Sequence, residues 1–514
     1  MSVIKLHLSL ALTISLSGTS LAQFGNPALI TGDFFVDPVA GNDANIGTSW
    51  LAPLKTIDNA LSLANAAQPE IWVKSTTPTT NVVPGATRSS SFVIDDNIHL
   101  RGGFDGTEST LADRPKTLFT NTVLSGDING DSGSGTISDD AYHVVRVTRF
   151  SDDVIIDGFQ IEYGNADDNS LGGTTVNING VAVNPDSLGG GIYFEINNGG
   201  YQGVGLANLV VENCSAAYAG GGIFVDAIGG LTIANGAYFS RITVRDCRAL
   251  GFLSGSLTGF GGGLYGNRLS FNIRAFNSTF DGNRSISGGG AYLDPVDDGI
   301  GWQSCRFMDN RAQRGGAIAA EAAVTHEFSN CTFAFNETAI PVGASGGGSS
   351  IYVVNSSGPA SVVFESSIAY FNTTTTYVMG GMNTIAPDNF AFDAVASSPS
   401  HLSATYSCIE LSAGTTPPWY LTGSISVDPL FVNGGARNLR LQAGSACIDS
   451  GNDGGLLLDL ANLDDDGDSV SEFVPRDLGE TLREIDAAGV PDTGVDGGNT
   501  SGAIADMGCF EVRL

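Results

Sequence analysis

Short runs in which apolar and polar side chains alternate recur through the middle of the chain, as in Leu209, Val211 and Asn213 or Ile242, Val244 and Asp246. A period of two predicts strands with one buried face. The alternation then slips by one residue: after Asn213 the inward set resumes at Cys214 and Ala216, after Asn277 at Ser278 and Phe280, and after Asn330 at Cys331 and Phe333. Such a slip marks a sharp corner between two strands. Asn and Asp suit it because they tolerate left-handed backbone and bond to nearby backbone groups.

The corners repeat. Val211-Glu212-Asn213-Cys214, Val244-Arg245-Asp246-Cys247, Ala275-Phe276-Asn277-Ser278, Trp302-Gln303-Ser304-Cys305, Phe328-Ser329-Asn330-Cys331 and Phe364-Glu365-Ser366-Ser367 each end in a small residue. Counted from that residue, the steps are 33, 31, 27, 26 and 36. A compact minimum with ragged excess is one coil plus variable loops. A Phe-x-x-Asn landmark follows at Phe280/Asn283, Phe307/Asn310 and Phe333/Asn336, with Asn372 at the equivalent offset, and glycine runs stand at 189–191, 220–222, 261–263, 288–290 and 315–316.

These observations predict an all-β chain, a single-stranded right-handed parallel β-helix of about ten coils whose equivalent residues stack about 4.8 Å apart. Cys214, Cys247, Cys305 and Cys331 are then expected to share one internal column, as small core filler. Leu54, Ile57, Ala60, Leu61 and Ala64 predict a helix over Leu54 to Ala67, and Ile71-Trp72-Val73 a strand after it. The helix would cap the open end of the solenoid. The expected division is a signal peptide (1–22), an N-terminal cap (23–75), the β-helix (76–405) and a less regular closing region (406–514).

The signal peptide rests on Lys5, the apolar run Leu6 to Leu16 and the small residues before Gln23, a run shorter than the roughly 20 residues a bilayer requires. Export would make disulfides available, but seven cysteines leave at least one unpaired. A Cys408 to Cys447 bridge stays open, with Cys509 unassigned. The net charge of -31, from 54 acidic against 23 basic residues, disfavours nucleic acid and acidic membranes.

The Gly-Gly-Ala-Ile run at Gly315 to Ile318 and the Phe-x-x-Asn repeats resemble the polymorphic outer membrane protein repeat, and the chain as a whole resembles secreted bacterial right-handed β-helix proteins of the pectin-lyase-like type. Phe35-Val36-Asp37 with Gly41-Asn42-Asp43 looks like the start of such proteins, and Asp157-Gly158-Phe159-Gln160-Ile161 with Gly164-Asn165-Ala166 like their early coils. Asp428-Pro429-Leu430-Phe431-Val432, Ser445 to Gly451 and Asp506 to Glu511 resemble a choice-of-anchor closing region. Many relatives carry an outer-membrane barrel or a sorting tail where this chain reaches Leu514, so the resemblance implies free secretion or attachment through a partner. It transfers a fold and little chemistry.

Two function classes remain. The leading one is a non-catalytic adhesion or glycan-binding scaffold, monomeric and not inserted in a membrane, whose partner is an extracellular glycan or surface protein. The alternative is a polysaccharide lyase or glycoside hydrolase, which would need a base beside cations or two carboxylates at a set separation. The best exposed cluster is Arg248, Asp281, Arg284, Arg306, Asp309 and Arg311, with Arg248 and Arg306 expected in one register; ordinary cross-coil ion pairs are the bland alternative. His326 falls on the inward parity of its strand. Calcium is the candidate cofactor, at Asn462, Asp464, Asp466 and Asp468 and at Asp127, Asn129 and Asp131, because these spacings present oxygen ligands as calcium loops do; solvated turns compete with it. The excess of acid favours neutral glycans or proteins over anionic polymers.

Overall fold

A computed structural model describes residues 30–512, apart from 228–236, 393–401, 456–476, 480–492, 496–503 and a set of shorter loop stretches. The signal peptide and the 462–468 loop lie outside the described residues.

Each central coil carries four short strands. In one such coil these are Ile273–Phe276, Thr279–Asp281, Arg284–Ser285 and Ala291–Pro295. Every strand pairs in parallel with its equivalent in the next coil, so the coils build four sheets, called here faces one to four in that order. Face one has 11 strands and runs from Phe34–Val36 to Leu402–Thr405, faces two and four have 9 each, and face three has 8, the last of them antiparallel. The protein is a right-handed parallel β-helix, the hand that parallel crossovers adopt.

The corners follow backbone preference. Asn277, Ser304, Asn330 and Ser366 turn the chain from face one to face two with φ between 46° and 54°, and Asn213, Asp246, Gly282 and Asp309 turn it into face three. Glycine opens face four: Gly288 has φ 67°, and a Cβ on Gly290 would press on the Asn310 side chain at 3.3 Å. Inside, equivalent side chains stack. Phe280, Phe307 and Phe333 lie ring over ring with centroids 5.1 and 4.7 Å apart, and such pairs add roughly 0.5–1.5 kcal/mol each beyond burial.

The single cysteine column is corrected to two. Face-two pairing places Val211, Val244, Phe280, Phe307 and Phe333 in register. Cys214 and Cys247 therefore stand in line with Asn283, Asn310, Asn336 and Asn372, three residues further along their coils. Cys305 and Cys331 belong to the earlier corner, with Ser278, Ser367 and Ser407. In that corner Ser278 Oγ donates to Phe276 O at 2.7 Å, Cys305 Sγ to Gln303 O at 3.3 Å and Ser407 Oγ to Thr405 O at 2.7 Å. Cys and Ser interchange there because the site asks for one small donor. In the other column Asn283 Nδ2 donates to Val244 O at 2.8 Å and Cys247 Sγ to Val211 O at 3.7 Å, so cysteine fills an asparagine position. All seven cysteines are free and buried.

The N-terminal helix is shorter than its apolar spacing predicts, spanning Ile57–Leu63. Leu54 is instead bridged in parallel to Val36, and Asn65 to Gln68 closes a turn. Thr56 caps the helix by accepting from Asn59 N, while Asp43 accepts from the amides of Lys55 and Thr56 and fixes its start.

The closing region lies along a flank as well as at an end. Phe431, Leu439, Leu441, Cys447, Ile448 and Met507 pack on Met308, Ala334 and Ile368, which point outward from face two. Arg437 holds Asp309 through two bonds of 2.6 Å and lies 3.9 Å over the Phe335 ring. Phe335 and Phe371 occupy left-handed corners that bulky side chains rarely adopt. Their rings stack at 5.2 Å beneath this segment, so the covering contact compensates the backbone strain. Cys408 and Cys447 meet in the same cluster, where Cys408 Sγ donates to Val427 O at 3.1 Å; the neighbouring Cys408 thiol and burial push the Cys447 thiol well up.

Candidate functional site

The outward positions of faces three and four contrast in chemistry. Face four carries Tyr193, Phe224, Tyr265 and Tyr292 in one stacked outer column, with centroids 5.4, 5.6 and 5.2 Å apart. The hairpin Val176–Ile178 with Val181–Val183, together with Tyr218 and Phe260, covers these rings, which are buried. Face three carries charge. Its outward register runs Asn165, Ser215, Arg248, Arg284, Arg311 and Glu337, so three guanidiniums follow one another in successive coils.

Arg248 and Arg284 are exposed. Among the described residues neither forms an ion pair, whereas Arg311 reaches Glu337 at 3.6 Å and the Tyr377 hydroxyl at 3.3 Å. Arg248 forms one wall of an open cavity of about 500 Å³ whose other polar walls are Ser138, Asn165, Asp167, Asn169 and Ser215, and whose apolar walls are Ile137, Ala216, Ala217 and Leu250. Asp167 is turned toward Arg88, which donates to it at 2.7 Å.

The rest of the predicted cluster is dispersed. Arg306 does not share a register with Arg248; it pairs with Thr279 and Thr332 on face two. The slip arose from equating Cys247 with Cys305, which belong to different corners. Asp281 lies half-buried on face two, its carboxyl raised chiefly by burial. Asp309 is the corner residue held by Arg437 and is structural. His326 is fully buried in face one, beside Ile300, as its parity predicts.

At the second predicted calcium loop, Asp127 accepts from the amides of Gly130, Asp131 and Ser132 at 2.8, 3.0 and 3.1 Å, so its oxygens cap a turn. Asn129 donates to Asp139. Asp140, buried beside Asp127, Asp131 and Asp139, is pushed up to about 6, chiefly by burial and further by these carboxylates, against a hydrogen bond from Ser132 that lowers it. Among the described residues no three His, Cys, Asp or Glu side chains are arranged to hold a metal ion.

Two arrangements went unread in the sequence. Glu162 and Glu212 stand in register on the outside of face two, and Gln160 Nε2 donates to both at 2.8 Å. Glu162 is raised, mainly by burial. On face one, Glu70, Arg101, Asp157 and Arg114 form a buried chain of ion pairs at 2.8–3.0 Å, which His99 joins at 2.7 Å. Both depend on cross-coil register, which spacing alone does not reveal.

No helix among the described residues is long and apolar enough to cross a membrane. No family model matches the chain, and no curated protein matches it. Among solved structures it is similar to the crystal structure of pectate lyase Pel9A, at 11% identity and TM-score 0.42, over 96% of this chain and 100% of that one. At that distance the likeness carries no argument about chemistry.

Proposed function

We propose that the chain is a secreted or cell-surface β-helix protein that acts without catalysis, binding an extracellular glycan or surface protein along the outside of face three. One observation carries the reading: Arg248, Arg284 and Arg311 are stacked at coil spacing, and Arg248 lines an open cavity of mixed polar and apolar walls. Like charges directly opposite in a sheet destabilise it, so a column of them is better accounted for by an external partner than by folding. A cavity that combines Asn, Ser, Asp and Arg side chains with apolar walls suits a hydroxylated ligand with apolar ring faces, and guanidinium planes donate to several oxygens at once. The Gly-Gly-Ala-Ile and Phe-x-x-Asn repeats, read as the polymorphic outer membrane protein type, and the choice-of-anchor-like closing region agree with a monomer displayed outside the cell after signal-peptide removal.

A glycan array on the full chain, repeated with Arg248→Ala and Arg284→Ala, tests this. Retention of the wild-type binding profile by both variants would sink it. The second reading, a glycan-cleaving hydrolase, is favoured by one observation, the Glu162–Glu212 carboxylate pair with one member raised. Release of saturated reducing ends from an array hit, abolished by Glu162→Gln, would replace the first reading by the second.

A further inference from the structure

Where the closing region crosses the flank it does not lie flush. Between it and the coils is a cavity of about 350 Å³, lined from the coils by Arg241, Thr243, Asn277, Thr279 and Arg306 and from the closing region by Arg440. Three guanidiniums converge on it, and among the described residues no carboxylate lines it. In a chain with 54 acidic and 23 basic residues, this is a local inversion of charge.

The polar atoms here are incompletely used. Arg306 Nε is buried without a hydrogen-bond partner, and so is Asn277 Oδ1, on a side chain only 7% exposed. Neither Arg306 nor Arg440 forms an ion pair among the described residues. Arg440 is positioned over the Phe510 ring at 4.8 Å, and Arg241 by its bond to Asn208 Oδ1 at 2.8 Å. A buried donor and a buried acceptor left unmade each carry a desolvation cost, and one ligand would satisfy both. An oxyanion supplies acceptors for the guanidiniums, and a hydroxyl supplies a donor for Asn277.

We propose that this flank cavity binds an oxyanion group, carboxylate, sulfate or phosphate, carried on a single hydroxylated unit such as a substituted sugar. Arg306 and Arg440 hold the oxyanion and Asn277 accepts from a hydroxyl. The cavity lies in the lower part of the ~300–1,000 Å³ range of small-ligand sites, which fits one unit rather than a polymer. It is separate from the face-three column, so it stands or falls independently of the reading above.

Isothermal titration of the full chain at low ionic strength, with glucuronate, galactose 6-sulfate, glucose 6-phosphate, inorganic sulfate and neutral methyl galactoside, tests the assignment. A charged sugar binds, the neutral one does not, and Arg306→Gln and Arg440→Gln each weaken binding at least about tenfold. Arg306→Lys retains part of it, and Lys55→Gln, exposed in the N-terminal cap, changes nothing. Unchanged circular dichroism and thermal midpoint in each variant show that folding is intact. The assignment is overturned if no charged sugar binds, if the neutral sugar binds equally, or if Arg248→Gln, at the face-three site, removes the binding that Arg306→Gln and Arg440→Gln leave intact. Inorganic sulfate binding as tightly as the sugar sulfate removes the role given to Asn277.

Discussion

Two neighbouring columns of the solenoid are one residue apart in every coil and follow the same stacking rule with opposite results. The inner one, Cys214, Cys247, Asn283, Asn310, Asn336 and Asn372, places a donor and an acceptor of each asparagine against the next: Asn283 Nδ2 meets Asn310 Oδ1 at 3.0 Å, and Asn336 N meets Asn372 Oδ1 at 2.9 Å. The outer one, Ser215, Arg248, Arg284 and Arg311, places cation against cation. Repetition at coil spacing multiplies whatever a position offers. Where the group is self-complementary the column becomes an internal bond; where it is not, the column is a standing cost that calls for an outside partner.

The contrast is broken most strongly from inside. Asn310 donates to Phe280 O, its Oδ1 accepts from Asn283, and all of these atoms are buried. Asn310→Ala leaves at least two of them unmade, a loss of about 3 kcal/mol or more, read as a lowered midpoint in denaturant unfolding. A variant as stable as wild type would show that the ladder is not a source of stability. Asn283→Cys is expected to cost less than Asn283→Ala, because cysteine already serves in this column at Cys247.

A buried cluster of opposite charges sharpens the comparison from the other side. Outside face one, Glu70, Arg101 and Asp157 alternate in sign, and Arg101 is bonded to both acids. Glu70 is lowered to about 2: burial opposes its ionisation, and Arg101 and His99 overcome that. Because the folded value is depressed below the ordinary 4.5, this stabilisation is present above about pH 4.5 and is lost as pH falls through about 2. The difference corresponds to roughly 3 kcal/mol. Glu70→Gln should remove that acid-dependent part of a stability–pH curve; a curve of unchanged shape would show that the pairing contributes nothing net.

How far the sequence could be read depends on which contacts are local. The Phe-x-x-Asn landmarks and glycine runs were legible because each is a corner chemistry within one coil: Phe280 points in, Asn283 turns inward into the ladder, and Gly288 takes the left-handed angle. The cysteines misled because Asn-Cys occurs at two different corners, Asn213-Cys214 and Asn330-Cys331, with the same local slip. For Cys214 the discriminating signal was the distance to the glycine run: it stands before Gly220 almost as closely as Asn310 before Gly315, and Cys305 stands much farther back; for Cys247 the hairpin of Gly251–Leu253 with Ser256–Thr258 lengthens that distance and hides the signal. That register error alone paired Arg248 with Arg306 and hid the continuous Arg248–Arg284–Arg311 column. The two-column assignment makes a small-effect prediction: Cys331→Ser keeps the donor that Ser278 and Ser367 supply elsewhere, so it should cost no more than about 1 kcal/mol. A loss comparable to that of Asn310→Ala would mean that Cys331 does more than donate one bond.

The smallest structural effect belongs to the outer column, and it separates a folding role from a binding one. Arg284 is exposed, has a like charge on either side and forms no ion pair among the described residues. Surface changes away from packing or pairing stay within about 0.5 kcal/mol, and removing one of three neighbouring cations relieves repulsion, so Arg284→Gln should leave the unfolding midpoint unchanged or slightly raised. Ligand capture should fall all the same, and its dependence on salt should weaken, because one cation fewer faces the partner. If Arg284→Gln instead unfolds more easily with binding intact, the column is a structural feature whose stabilising contact has been misread, and the partner must be sought on another face.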